Sequence, residues 1–294
     1  MRLFKDLVAG KLMFLLTLFP SFLVLVIIFG LFQKSRAILA IRSVGRLLFS
    51  SGWHPLKGEF GLLPFITGTL WVTFVALVIA IPISLFTAIY LSEYAPRFVR
   101  DLAKPIIDLL AGLPSVVFGV WGIMVIVPFV GNVLAPLFGV YSSGYSILAG
   151  GIVLAIMVFP TIIHVSLEVF ASIPFALRET SLSLGATRWE TVHHVVLRKG
   201  AQGILAASIL GLSRAFGETM AVLMVVGNVP VVPKSLFAPG YPLPALIANN
   251  YGEMMSVPLY DSALMLAALV LLLVVLAASV FGRWILIKAE KRAE

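Results

Sequence analysis

Two residues of opposite charge, Arg214 and Glu218, stand in an otherwise apolar stretch, within Ser213-Arg-Ala-Phe-Gly-Glu-Thr219. If that stretch is a continuous helix, their spacing sets the side chains about 40° apart in projection and about 6 Å apart along the axis, near enough to pair. Near the centre of a membrane helix each costs about 2.5–3.5 kcal/mol, so two in one segment need a reason. One reading is a structural ion pair that locks helices together. The other is a polar site on a path through the membrane, where the guanidinium, a planar fork of donors, suits an oxyanion. Two features favour the second reading. Gly203, Ala207, Gly211 and Ala215 recur every four residues and form a small-residue ridge that supplies close helix packing without charge, and Gly217 leaves space beside Glu218. His164 is the competing polar candidate and reads as a satisfied interfacial residue rather than a proton relay. Glu168 and Asp108, near membrane ends, take no role in this reading.

The elements that must hold these residues come from a chain with little charge. Of its 294 residues 61% are hydrophobic and 12% charged, about half the charged share of ordinary globular domains. Charge-free runs cover positions 12–32, 60–92, 109–167 and 262–282, each long enough for the ~20 residues of a membrane-spanning helix. Gly131-Asn132, Pro136 and Tyr141-Ser-Ser-Gly-Tyr145 divide the longest run. The chain is therefore expected to be an all-α integral membrane protein. Its six spans are expected at Leu12–Phe32, Ile66–Leu91, Ile106–Val130, Ser146–Val169, Ala201–Gly227 and Ser262–Leu286. A cleaved signal peptide is the other reading of the first run, but the run is too long and Phe29-Gly-Leu-Phe-Gln33 is a poor cleavage site.

With both termini in the cytoplasm, fourteen Lys and Arg fall inside, counting Arg283 at the end of the sixth span, and six outside, which satisfies the positive-inside rule. Loop 1, with Lys34, Arg36, Arg42, Arg46 and Lys57, works against that count, and residues 37–49 are expected to form an interfacial amphipathic helix there. The net charge of +8 lies in short segments between apolar runs, so membrane topology explains it and no nucleic acid is implied. The sequence has no cysteine, so disulfides, thiolate metal sites and cysteine nucleophiles are excluded.

Between the fourth and fifth spans, Ser172 and Pro174 start a helical stretch, Gly185 breaks it after Leu184, and a second stretch begins near Arg188. This hairpin resembles the EAA loop of ABC importer permeases, with Glu179-Thr180-Ser181 in place of the Glu-Ala-Ala triplet and Gly185 as its glycine. The proline of the family's later Leu-Pro pair is absent, since Arg198 follows Leu197. Three further stretches resemble the phosphate-specific permeases of the C-type, the PstC family: Phe60-Gly-Leu-Leu-Pro-Phe-Ile-Thr-Gly-Thr69, Leu110-Ala-Gly-Leu-Pro-Ser-Val-Val-Phe-Gly119 and Arg214-Ala-Phe-Gly-Glu-Thr219. The likeness covers residues 60–284, so residues 1–59 read as an N-terminal span with a poorly matched loop. Residues 60–294 read as the permease core, with its coupling loop at 171–200.

The resemblance implies a type I ABC importer permease architecture, in which residues 176–185, with Glu179, Thr180, Ser181 and Gly185, dock into a groove of the ATP-hydrolysing subunit. It implies that Arg214 and Glu218 are associated with phosphate passage, and Thr219, the last residue of the same element, is placed on the substrate pathway with them. Ser115 joins them on physical grounds, because Pro114 within a span frees amides near Ser115 and Val116, and broken helices are where transporters bind anions. A tolerated kink is the alternative. The implied partners are a second, A-type permease, a dimer of ATP-hydrolysing subunits that binds ATP and Mg, an extracytoplasmic phosphate-binding protein, inorganic phosphate and membrane lipid. The implied place is the bacterial or archaeal cytoplasmic (inner) membrane, and no cofactor or metal belongs to this chain. Enzyme activity is not expected, for the chain has no HExxH, GxSxG, intramembrane carboxylate dyad or GxxxxGK[ST]. A secondary anion transporter is disfavoured by the lack of inverted repeats. A sulfate, molybdate or tungstate permease is the nearer alternative, separated by Gly217-Glu218-Thr219.

Overall fold

The computed structural model describes residues 2–253 and 256–290, and six of its helical stretches are long and apolar enough to cross a membrane. In chain order, α1 (Arg2–Ile41) and α2 (Val44–Phe49) precede a small antiparallel hairpin, β1 (Trp53–His54) with β2 (Glu59–Phe60). Then α3 (Leu63–Ile89) ends in a π turn, Tyr90–Tyr94, before α4 (Arg97–Gly112). The third apolar span strings together α5 (Ser115–Trp121), α6 (Val127–Phe129) and α7 (Ala135–Leu137) through π turns at Gly122–Ile126 and Val130–Leu134. After α8 (Ile147–Ser172) come α9 (Phe175–Ser183) and α10 (Arg188–Thr191), and a π turn at Val192–Val196 leads into α11 (Leu197–Gly217). The chain closes with α12 (Met220–Val225), α13 (Leu243–Asn250) and α14 (Tyr260–Glu290).

These elements form two compact units, Met1–Leu62 with Asn250–Leu273, and Leu63–Asn249 with Val274–Glu294. In the first, Ser262 Oγ ties α14 to α1: it accepts from the Ile38 amide at 3.2 Å and donates to the Lys34 carbonyl at 2.9 Å. Tyr260, fully buried, packs against Trp53 and Phe60 of the hairpin. Residues 37–49 are not one amphipathic helix. The helix α1 runs through to Ile41, and extended Ser43 separates it from α2.

The second unit is built on α3, α8 and α11. Val72, Ala76, Ala80, Leu154, Val158, Ile162, Ala207 and Ala215 form one buried cluster. Phe118, Val127, Val153, Met157, Ala221 and Val225 form another, which joins the third span and α12 to α8. The small-residue ridge of α11 lies against α8, where Gly211 fits beside Val158 and Ile162 and a Cβ at Gly203 would run into Val169. A Gly203→Leu variant is thus expected to lose about 1–3 kcal/mol through overpacking. Thermal unfolding in detergent checks this, and an unshifted transition would show that the ridge carries no packing.

Two spans depart from the sequence expectation. The third runs from Ser115 to Leu137 rather than from Ile106 to Val130. Leu113 and Pro114 are extended and end α4, so Pro114 caps the start of the span instead of kinking its middle. The preceding α4 is amphipathic: it buries Ile107 and packs Val99 and Ala103 inward, while Arg97, Asp101, Lys104 and Asp108 stay on its polar side. The fifth span does not continue to Gly227. It stops at Gly217, and the chain turns through Glu218 and Thr219 before α12.

Candidate functional site

The break in the fifth span separates Arg214 from Glu218. Glu218 leaves the helix with an extended ψ of 128°, and its carboxylate accepts the Ala221 amide of the next turn at 3.1 Å. An acidic side chain at a helix start satisfies an amide with no helical partner and faces the positive end of the helix dipole. That local bond stands where helical spacing would have allowed an i,i+4 ion pair. Among the described residues the close acid–base contacts are His164 with Asp108 and Arg178 with Glu93, and none joins Arg214 to Glu218. Gly217 has open space where its Cβ would lie, as the sequence suggested.

Arg214 is exposed on this chain, and its guanidinium donates to the Thr161 hydroxyl of α8 at 2.5 Å. A neutral hydroxyl orients the guanidinium without cancelling its charge. Thr219, half-buried, starts α12, and Ser115, also half-buried, starts α5. The two helices pack closely at Gly119, which has Ala221 and Met224 against it, so the break and the start of the third span belong to one region.

Thr161 and the His164 pair were not legible as site residues. Along α8, Thr161, His164 and Glu168 recur at helical spacing on a side the chain leaves partly open. His164 Nε2 stands 3.0 Å from Asp108 Oδ1, with the two side chains 39% and 63% exposed. His164 is thus satisfied, as expected of it, but by Asp108, which the sequence reading gave no role. A polar strip therefore starts at Arg214 and follows one side of α8.

The loop after α8 folds as the expected hairpin. Gly185 has φ +88°, and its amide bonds the Leu182 carbonyl at 3.0 Å while the Ala186 amide reaches back to Ser181 at 3.2 Å. This is a Schellman ending, which requires the left-handed conformation that glycine adopts without strain. Thr187 and Glu190 form a reciprocal capping box that starts α10. The Thr-x-x-Glu spacing was a signal in the sequence for that start. Ser181 shares a 2.9 Å hydrogen bond with buried Thr191, which closes the hairpin, while Glu179 and Thr180 are exposed. Phe175, Leu182 and Leu184 add exposed apolar surface, so α9 has the mixed character of a docking element.

The architecture and the hairpin define a class, the permease component of a binding-protein-dependent ABC importer. A family model described as the inner membrane component of binding-protein-dependent transport systems matches residues 80–289. A bacterial ABC transporter crystallised with an alginate pentasaccharide-bound periplasmic protein shares the fold, with a TM-score of 0.62 at 16% identity, covering 96% of each chain. The phosphate transport system permease protein PstC of Xylella fastidiosa is 37% identical over 87% of this chain and 83% of its own length. The probable PstC of Methanocaldococcus jannaschii is 34% identical over 96% of this chain and 94% of its own. The chain belongs to the PstC family of phosphate transport system permeases.

Proposed function

We propose that this chain is the C-type permease subunit of an ATP-driven phosphate importer and forms half of the translocation path, a second, A-type permease supplying the rest. The observation that carries the reading is Arg214, a cation in a membrane span that is exposed on its own chain and held by a neutral hydroxyl. Such a group does not face hydrocarbon. It faces a polar passage, and its donors suit a tetrahedral oxyanion. Glu218 stands across the helix break, with one carboxylate oxygen on the Ala221 amide. The other oxygen accepts a proton-bearing phosphate hydroxyl. Phosphate near neutral pH keeps a proton and both accepts and donates, whereas sulfate has none and meets the carboxylate only as like charge. Thr219 and Ser115 line the same passage.

An extracytoplasmic phosphate-binding protein delivers the anion. A dimer of ATP-hydrolysing subunits binds ATP and Mg, and this chain needs no cofactor of its own. Residues 176–185 receive the ATPase, with Glu179, Thr180 and Ser181 at the contact and Gly185 shaping it. Co-expression with candidate partner subunits, mild solubilisation and affinity purification should yield a second permease and an ATPase with this chain. The reconstituted complex should take up labelled phosphate only with ATP inside and binding protein present. Uptake driven by an ion gradient without ATP would overturn the reading.

Both termini, Arg100 and Arg188 lie on the cytoplasmic side, a placement supported by the Lys and Arg distribution. With no native cysteine to interfere, single cysteines at positions 100 and 188 should resist impermeant thiol reagents in intact cells, while one at 142 reacts. The reverse labelling refutes the orientation.

A further inference from the structure

One side chain, Arg178, clamps the coupling helix α9 to the end of α8 and to the turn that ends α3. Arg178 Nε and Nη2 reach the Glu93 carboxylate, with contacts of 3.1 and 2.8 Å. The same guanidinium donates to the Ile173 and Phe170 carbonyls at the end of α8, each at 2.8 Å. Arg178 and Glu93 side chains are only 12% and 13% exposed, so the pair is sheltered and its geometry fully specified. Its partner does not lie in a regular helix. Glu93 belongs to the π turn Tyr90–Tyr94 that ends α3, and insertions of this kind concentrate at working sites of helices.

A second arginine grips the same turn from another element. Arg100, near the start of α4, donates to the Leu91 and Ser92 carbonyls at 3.0 and 3.1 Å. The Ser92 hydroxyl in turn donates to Glu93 at 3.0 Å. Leu91 and Ala95 at the turn pack with Ile107 of α4 and Ile163 of α8. At its other end α4 carries Asp108, bonded to His164 on the polar strip, and it passes through Leu113-Pro114 into α5, which starts at Ser115. One π turn thus holds the docking helix by a carboxylate and, by its carbonyls, the helix that leads into the site.

We infer that the π turn at residues 90–94 is the joint that passes movement of the coupling helix to α4 and from there to the Asp108–His164 pair and the start of the third span. Arg178 and Arg100 are positioning residues on its two sides. The inference rests on the reading that residues 176–185 receive the ATPase. A rigid, fully bonded clamp transmits displacement, and the links act in series, so breaking either one disconnects the chain of contacts. A purely structural role predicts independent losses of stability instead.

The test is a double-mutant cycle in the assembled, reconstituted complex, with labelled phosphate uptake and ATP hydrolysis measured together. Glu93→Gln and Arg100→Gln are each expected to lower phosphate moved per ATP by about tenfold while hydrolysis continues. The double variant is expected to fall no further than the worse single one. Multiplying losses, an unchanged ratio, or uptake and hydrolysis falling in parallel overturns the inference. Should Glu93→Gln not assemble, Arg100→Gln, which leaves the Arg178 pair intact, carries the same test through its own phosphate-to-ATP ratio. A cysteine at position 180 cross-linked to the ATPase separates the two claims. If wild-type complex gives no cross-link, the docking reading fails. If the cross-link persists in variants with a reduced ratio, docking stands and the broken link is the joint.

Discussion

Replacing Arg214 by glutamine is expected to abolish phosphate uptake while the chain still inserts and assembles. The side chain is exposed and, among the described residues, bonds only the Thr161 hydroxyl, so its loss disturbs little packing. On the proposed path it removes the positive charge assigned to offset desolvation of the anion, and it leaves Glu218 as the charged group at the helix break. Taking one partner from a desolvated, hydrogen-bonded charge contact costs roughly 2–5 kcal/mol, so uptake should fall at least about 30-fold. Arg214→Lys keeps a point charge without the planar fork and should recover part of the rate. Initial rates of labelled phosphate uptake, normalised to the complex present in membranes, decide the matter. A wild-type rate in Arg214→Gln would mean that the arginine is structural.

Gly185→Val is expected to cut uptake by tenfold or more, in approximate terms, with membrane insertion unchanged. Nothing lies within 4 Å of a Cβ at this position, so the effect does not come from a clash. It comes from φ +88°, a conformation that costs an ordinary residue about 1–2 kcal/mol and a β-branched one more. The hairpin relaxes away from the Schellman ending, and the bonds from Gly185 and Ala186 to Leu182 and Ser181 are lost. The docking role proposed for this hairpin requires it to hold its shape under load, so coupling is expected to suffer before folding does. Asparagine enters the left-handed region more readily, and Gly185→Asn should therefore stay close to wild type. Equal uptake in the valine and asparagine variants would remove the conformational explanation.

The second, fourth and sixth spans were readable because long charge-free runs with turn signals at their ends leave an apolar helix little alternative. The hairpin was readable from Pro174 and Gly185, whose backbone preferences act locally. The fifth span was misread where a local competition decides the outcome. Spacing arguments presume an unbroken helix, and Glu218 instead turns outward and bonds the Ala221 amide. The third span was misplaced because Ile106–Gly112 is nearly as apolar as a span, and only the extended pair Leu113-Pro114 shows where the new helix starts. Glu93 and Arg178 lie 85 positions apart, and His164 meets Asp108 from a different helix. Pairings of that kind depend on how helices pack and leave no periodic trace.

Passage of phosphate between Arg214 and Glu218 is tested most directly by anion selectivity in Glu218→Gln. The measurement is the ratio of phosphate to sulfate uptake by a reconstituted complex in a state that no longer needs its binding protein, so that selection by the soluble protein does not enter. Glutamine preserves the shape of the side chain and can still accept the Ala221 amide, but it carries no negative charge. The wild-type complex should strongly favour phosphate, and the ratio in Glu218→Gln should fall as sulfate meets no like charge. An identical ratio in the two complexes, with phosphate moving at the wild-type rate, would contradict passage of the anion at this helix break.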